Sequence, residues 1–260
     1  MLLGFGDKYY SALEYAYKLY VVIYGIFSYA IGNIIFPELS RAISSNDTKG
    51  YISTISKSIR IIAFLLIPLT FGFLIYSKDV VSISYERGQF TSESTSLTSQ
   101  ALFCYAIGIV GAGLVEIMNK AFYAKQDIKT PLCVGSFIVL LNVLLCFLLS
   151  KSVLSYSGIA LATAIVALIN GTVLSFLISR KSKGIFNKAL FIDIFKILIC
   201  SVIMSVTVIL VNYLFKDFSG DMIKNLIKCG VGCAVGVIVY FILSYLLGVN
   251  QFFVKKVNEK

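Results

Sequence analysis

Seven stretches of this 260-residue chain run for seventeen or more positions without one charged side chain: residues 19–37, 61–77, 94–115, 130–150, 152–179, 197–215 and 229–254. Crossing a hydrocarbon layer of about 30 Å takes roughly 20 apolar residues at the helical rise. Each stretch is therefore long enough, or nearly so, to span a bilayer. A helix at a water-facing surface would show a polar face every third or fourth position, and these do not. Inside lipid every backbone donor and acceptor must be satisfied within its own segment, which helices achieve; the alternation of a β-barrel is absent. The expected fold is all-α, a polytopic transmembrane helix bundle of about seven spans. A hydrophobic content of 58% and a mean hydropathy of +0.89 agree.

The chain contains no histidine, which excludes a histidine proton relay, a histidine metal site and a Ser-His-Asp triad within it. No cofactor is implied. Six cysteines (Cys104, Cys133, Cys146, Cys200, Cys229 and Cys233) all fall inside apolar stretches. Cys229 and Cys233 share a helix face and are conceivable as a metal or redox pair. Without further ligands nearby, small buried hydrophobes are the simpler reading.

A net charge of +10 raises the question of nucleic acid, but the placement of the cations argues against it. With the connections alternating between two sides, one side collects Arg41, Lys49, Lys57, Arg60, Lys120, Lys125, Lys129, Arg180, Lys181, Lys183, Lys188, Lys196, Lys255, Lys256 and Lys260. The other has only Lys8, Lys18, Lys78, Arg87, Lys151, Lys216, Lys224 and Lys228. The acids divide almost evenly. The positive-inside rule then places the C-terminus and the first, third and fifth connections in the cytoplasm.

Met1 to Gly6 is apolar, too short to span, and lacks the basic region of a signal peptide. It reads as the last turns of a helix begun upstream, so the chain is expected to be the C-terminal part of a longer transporter or half of a split one. Tyr51, Ile52, Ile55 and Ile59 recur at helical spacing beside Lys57 and Arg60, predicting a short amphipathic helix on the membrane surface before the second span. Thr91, Ser92, Ser94 and Thr95 are placed to cap the third span. The basic stretch 181–196 divides five spans (1–180) from a C-terminal pair (197–260). Small residues four apart (Gly158 and Ala162, Ala160 and Ala164, Ala167 and Gly171, Gly232 and Gly236) predict close helix packing. Asn142 and Asn170, lone amides in apolar spans, are expected to bond between helices.

The segment Ala121-Phe122-Tyr123-Ala124-Lys125-Gln126-Asp127-Ile128-Lys129-Thr130-Pro131 resembles a signature of the lipid II flippase (MurJ/MviN) family, in the multidrug/oligosaccharidyl-lipid/polysaccharide exporter superfamily. Tyr15-Ala16-Tyr17-Lys18-Leu19, Phe36-Pro37-Glu38-Leu39-Ser40, Arg87-Gly88-Gln89-Phe90-Thr91 and Gly158-Ile159-Ala160-Leu161-Ala162-Thr163-Ala164 are similar to further family motifs, in the family's order. The family's fold is fourteen helices in two lobes of six plus a final pair. The resemblance implies that this chain corresponds to helices eight to fourteen. It also implies a polyprenyl-linked lipid substrate, a setting among membrane lipids, and a first lobe that a separate polypeptide could supply. The last two spans would line a groove for the lipid tail.

By the same resemblance Lys18 matches a functional cation that would meet the lipid pyrophosphate, an anion too costly to move through lipid bare. A lysine snorkelling to the interface is the simpler alternative. Tyr17 stands where the family often has Asp, and Glu14, four residues before Lys18, is the expected ion-pair partner instead. Tyr15 belongs to the same motif. Arg87 and Gln89 would contact the exported headgroup, with helix capping or plain exposure as the alternative. Lys125, Asp127 and Lys129 would gate or meet substrate on the cytoplasmic side, or else form an anchor with a local Asp–Lys pair; Pro131 ends the same motif and carries no assigned role. Glu116, at the edge of the third span, carries no expected role.

The leading expectation is thus a flippase half that works by alternating access, without covalent chemistry. An exporter of another polyprenyl-linked polysaccharide or of drugs competes with it; drug export would favour a carboxylate in the cavity, and the charge-free stretches hold none. A nonfunctional or assembly-only fragment is the third reading. A membrane-embedded transferase would need an Asp or His cluster that this chain lacks.

Overall fold

A computed structural model describes residues 6–214 and 222–249, with the side chains of 222–225 set aside. The expectations at Met1–Phe5, Lys216, Lys224, Lys255, Lys256, Lys260 and the end of the last span lie outside these residues. Eight helices make up the described chain: α1 (Asp7–Ser44), α2 (Thr48–Tyr85), α3 (Ser92–Ala106), α4 (Ile109–Ala124), α5 (Lys129–Ser150), α6 (Ser157–Lys181), α7 (Lys188–Leu214) and α8 (Met222–Leu246). Six are long and apolar enough to cross a membrane, and α3 with α4 makes a seventh span bent by 47°.

α1 and α2 are each 38 residues long, about 57 Å at the helical rise. They form an antiparallel hairpin. Asn46 turns it at a φ of 54°, and the Asp47 side chain caps α2 by accepting the Gly50 N–H at 2.8 Å. The amphipathic surface helix expected around residue 55 does not exist as a separate element. Residues 51–60 are the first turns of α2, with Tyr51, Ile55 and Ile59 buried. The Tyr51 hydroxyl donates to the Ala121 carbonyl at 2.8 Å, so a face that reads as membrane-seeking is satisfied by α4 instead.

The third span also departs from its expected limits. It breaks at Ile107–Gly108 and runs on to Ala124, taking in Glu116 and Lys120. Thr91 caps α3 as expected, accepting the Ser94 N–H at 3.4 Å. The break coincides with a close backbone approach of α4 to α6. A Cβ on Gly108 would lie 2.7 Å from the Ala164 Cα, and one on Gly111 would lie 2.5 Å from the Leu168 backbone nitrogen. The small residues of α6 therefore do what their spacing predicts: they let α4 and α6 touch backbone to backbone.

Two buried clusters organise the packing. One joins α1, α2, α3, α4 and α6 around Ile62, Leu66, Leu102, Ile109, Ile117, Met118, Leu174 and Ile178. The other seats α7 and α8 against α2 through Phe64, Ile67, Tyr76, Cys200, Met204, Val208 and Tyr240. α5 buries only Pro131, Ile138 and Cys146. The rest of its length shows Phe137, Leu140, Val143 and Phe147 outward, a surface suited to lipid.

The two amides depart from expectation. Asn142 accepts from the Cys146 thiol at 3.0 Å within its own helix. The Asn170 Oδ1 is buried with no hydrogen-bond partner.

Candidate functional site

The chain's polar chemistry gathers at the two ends of the bundle. At the basic end, the turns after α1, α4 and α6 meet. The Lys125 ammonium donates to the Ser182 hydroxyl at 2.6 Å and lies 4.7 Å from the Tyr51 ring centroid. Ser56 donates to the Ile185 carbonyl at 2.7 Å, and Arg60 pairs with Asp193 at 3.0 Å. Lys196 donates to the Leu247 carbonyl at 3.0 Å, which brings the end of α8 to this same end. The first, third and fifth connections thus share one end of the molecule, as the charge pattern requires.

Asp127 belongs to this end. It accepts the Thr130 N–H at 3.1 Å and the Thr130 hydroxyl at 2.8 Å, which closes the first turn of α5, and it pairs closely with Lys181. The pair is not the local one expected with Lys125 or Lys129; its partner comes from the end of α6. Hydrogen bonds from Lys181 and then Thr130 hold the Asp127 carboxyl down to about 2. Partial burial, and then the nearby Lys181, push the Lys125 ammonium below its ordinary value. Lys129 is exposed at the start of α5, and Pro131 sits in its first turn, where a missing N–H costs nothing. Lys125, Asp127 and Thr130 staple the connection, while Pro131 also lines a separate cavity with Asn119, Tyr123 and Asn170.

Lys18 lies in α1, eleven residues inside its start. Its Nζ is 2.7 Å from the Glu14 Oε1 and 5.4 Å from the Tyr15 ring centroid. The Glu14 pairing read from the four-residue spacing is present. The lysine side chain is 58% exposed, so the pair is a loose tether that a stronger anion can displace. Beside it runs a ladder of tyrosines. Tyr20 stacks on Tyr105 at 5.4 Å, and Tyr17, in place of an acid, packs 5.6 Å from the same ring.

Tyr15 also faces the end of the bundle opposite the basic one. There a polar pocket of about 530 Å³ opens between α1, the α2–α3 turn and α3. Arg87 and Gln89 line it, as does Lys8, which sequence reasoning did not single out. The turn has a local cause. The Phe90 N–H bonds the Arg87 carbonyl at 3.2 Å with Gly88 at a φ of 63°, a left-handed position that glycine alone fills without strain. The Arg87 guanidinium donates to the Ser84 carbonyl at 3.1 Å, capping α2.

One further feature escaped the sequence. Glu116 and Lys120 pair at 3.5 Å inside α4, three-quarters or more buried against Gly32 and Phe36 of α1. A carboxylate does therefore lie within a span, though a lysine neutralises it; the i,i+4 spacing of the two was the available signal. Between α2, α7 and α8 lies an apolar groove of about 230 Å³, lined by Phe64, Pro68, Met204, Val208, Val237 and Phe241. All six cysteines are free, and no group of three acids or cysteines able to hold a metal occurs among the described residues.

A family model described as "Lipid II flippase MurJ" matches residues 8–227. The chain belongs to the lipid II flippase MurJ family. Among curated relatives, the "Probable lipid II flippase MurJ" of Rickettsia prowazekii (strain Madrid E) is 32% identical over 208 residues, covering 80% of this chain and 41% of the relative. The "Lipid II flippase MurJ" of Thermosipho africanus (strain TCF52B) is 29% identical over 208 residues, 79% of this chain and 40% of the relative. The chain thus aligns to about two-fifths of the length of these MurJ relatives. A solved structure titled "Lipid II flippase MurJ, inward closed conformation" superposes with a TM-score of 0.79 at 26% identity, covering 96% of this chain and 49% of that one. A multi-pass helical membrane protein of the MurJ family accounts for every apolar helix described above.

Proposed function

We propose that this chain forms the second lobe and C-terminal helix pair of a lipid II flippase in the bacterial cytoplasmic membrane. Residues 1–180 are the lobe, 181–196 the basic linker and 197–260 the pair. The basic end and the C-terminus face the cytoplasm. The family match across residues 8–227 carries this reading. The remaining cavity wall comes from a first lobe, on the same or a separate polypeptide, and the two alternate access between them.

The physical demands of the task support the assignment. A lipid pyrophosphate needs a cation that releases a weaker partner to bind it. Lys18, exposed and only loosely tied to Glu14, is such a cation. The polyprenyl tail needs an apolar flank, and the groove between α2, α7 and α8 supplies one. Lys125 and Asp127 tie the cytoplasmic end together, with Lys129 exposed beside them.

In the complete transporter, Lys18→Ala is expected to abolish rescue of cells depleted of their flippase at unchanged protein level, while Lys18→Arg retains it. Normal growth with Lys18→Ala would remove Lys18 from the mechanism.

A further inference from the structure

We propose that the pocket at the far end of the bundle is a saccharide-pyrophosphate site, distinct from Lys18, in which an amino-sugar ring stacks on an aromatic wall while Arg87 and Lys8 hold the phosphates. The proposal rests on the lipid-linked substrate class proposed above and adds a second station for its headgroup.

The lining has the composition such a ligand requires. Tyr15, Tyr85 and Phe90 form a contiguous wall, with ring centroids 4.9 Å apart for Tyr15–Tyr85, 5.5 Å for Tyr15–Phe90 and 5.7 Å for Tyr85–Phe90. Flat rings of this kind bury the apolar face of a sugar. Opposite chemistry comes from Lys8, Arg87 and the Gln89 amide, which line the same space. Arg87 uses its guanidinium fork on carbonyls 3.1 and 3.5 Å away through one nitrogen, Nη2. The other donors of the fork remain for phosphate oxygens, which it matches better than an ammonium does. Among the described residues Lys8 is held only by Glu93 at 3.5 Å, with both side chains more than two-thirds exposed, so an incoming anion displaces the pair cheaply. Asp7 also lines the pocket, leaving it with one net positive charge from its charged residues. The volume of about 530 Å³ falls within the range of small-molecule sites. Tyr15 lies between this pocket and Lys18, so the two sites are adjacent but share no cation.

The chain has no tryptophan, so Phe90→Trp installs a unique fluorophore in the wall; Tyr85→Trp is a second reporter should the first perturb folding. The full chain in lipid nanodiscs is titrated with a soluble nucleotide-linked N-acetylglucosamine, and separately with a short-chain polyprenyl pyrophosphoryl disaccharide placed in the bilayer. We expect a saturable change in emission with both. Arg87→Ala is expected to weaken it at least tenfold, and Lys151→Ala, at the same end but outside the pocket, to leave it unchanged. No saturable change, or equal binding after Arg87→Ala, overturns the proposal. So does an identical response to inorganic pyrophosphate alone, which would mean no sugar is recognised. A response to the soluble sugar without one to the lipid-linked compound overturns the headgroup assignment. Because the assay reads binding without transport, its failure leaves the Lys18 growth test standing, and the reverse also holds.

Discussion

Asp127 shows how one carboxylate can hold a connection between two spans. It receives the Thr130 N–H and hydroxyl and the Lys181 ammonium, and each of these favours the charged form. A group whose folded value sits at about 2, against an ordinary 3.8, contributes stability that is complete above the ordinary value and is lost as pH falls through about 2. Carbon-13 NMR of labelled aspartate should therefore show Asp127 titrating near 2, and Asp127→Asn should remove that acid-side loss while loosening Lys181. A midpoint near 4 would mean the pair does not form. The sequence marked Asp127 as structural or gating but looked for its lysine among close neighbours. The true partner is 54 positions away, a pairing set by how α4 and α6 pack and not by any local spacing. Arg87 and Gln89 were legible through the family-like motif at residues 87–91, which forms the α2–α3 turn. Lys8 was not, because only the fold carries it to that turn.

Pro68 interrupts α2 without breaking it. Proline has no N–H to offer the Phe64 carbonyl, and a carbonyl left bare inside a bilayer protein costs about 1–3 kcal/mol. The Tyr240 hydroxyl of α8 donates to that carbonyl at 2.7 Å. One helix's defect thus becomes another's attachment point. Tyr240→Phe is expected to destabilise the chain by about 1–3 kcal/mol, read as an earlier midpoint of detergent-induced unfolding. In a Pro68→Ala background, where the backbone can satisfy Phe64 itself, most of that loss should vanish. Additive effects of the two substitutions would sink the interpretation. The proline and the tyrosine are both visible in the sequence, but nothing in it pairs them. The glycine contacts of α4 and α6 were visible in part, since their four-residue spacing on α6 is the signal for close approach. The amphipathic stretch at residues 51–60 misled because a face rich in Ile and Tyr looks the same whether it meets lipid or a neighbouring helix.

The bundle as a whole follows from where charge is absent and where it collects. Charge-free length predicted the spans, and the Lys/Arg bias predicted which connections share an end. The bent third span was hidden because apolar composition continues straight across Ile107–Gly108; a tight backbone contact, not polarity, sets the break. With native cysteines replaced, thiols introduced at Lys183 and Arg41 should react only from the cytoplasmic side of sealed vesicles, and those at Arg87 and Lys151 only from the other. Labelling of Lys183 and Lys151 from one side would undo the threading.

α2 is the wall shared by both candidate sites. Tyr76 at the outer limit of the groove and Tyr85 in the polar pocket are nine residues apart along it, which is about two and a half helical turns. The two rings therefore project from opposite flanks of one rod, roughly 14 Å apart along its axis. A single amphiphile cannot reach from groove to pocket in a straight line. To seat its sugar while its tail is still engaged it has to bend around the tip of α2, so the rod divides the membrane-facing route from the water-facing one like a watershed.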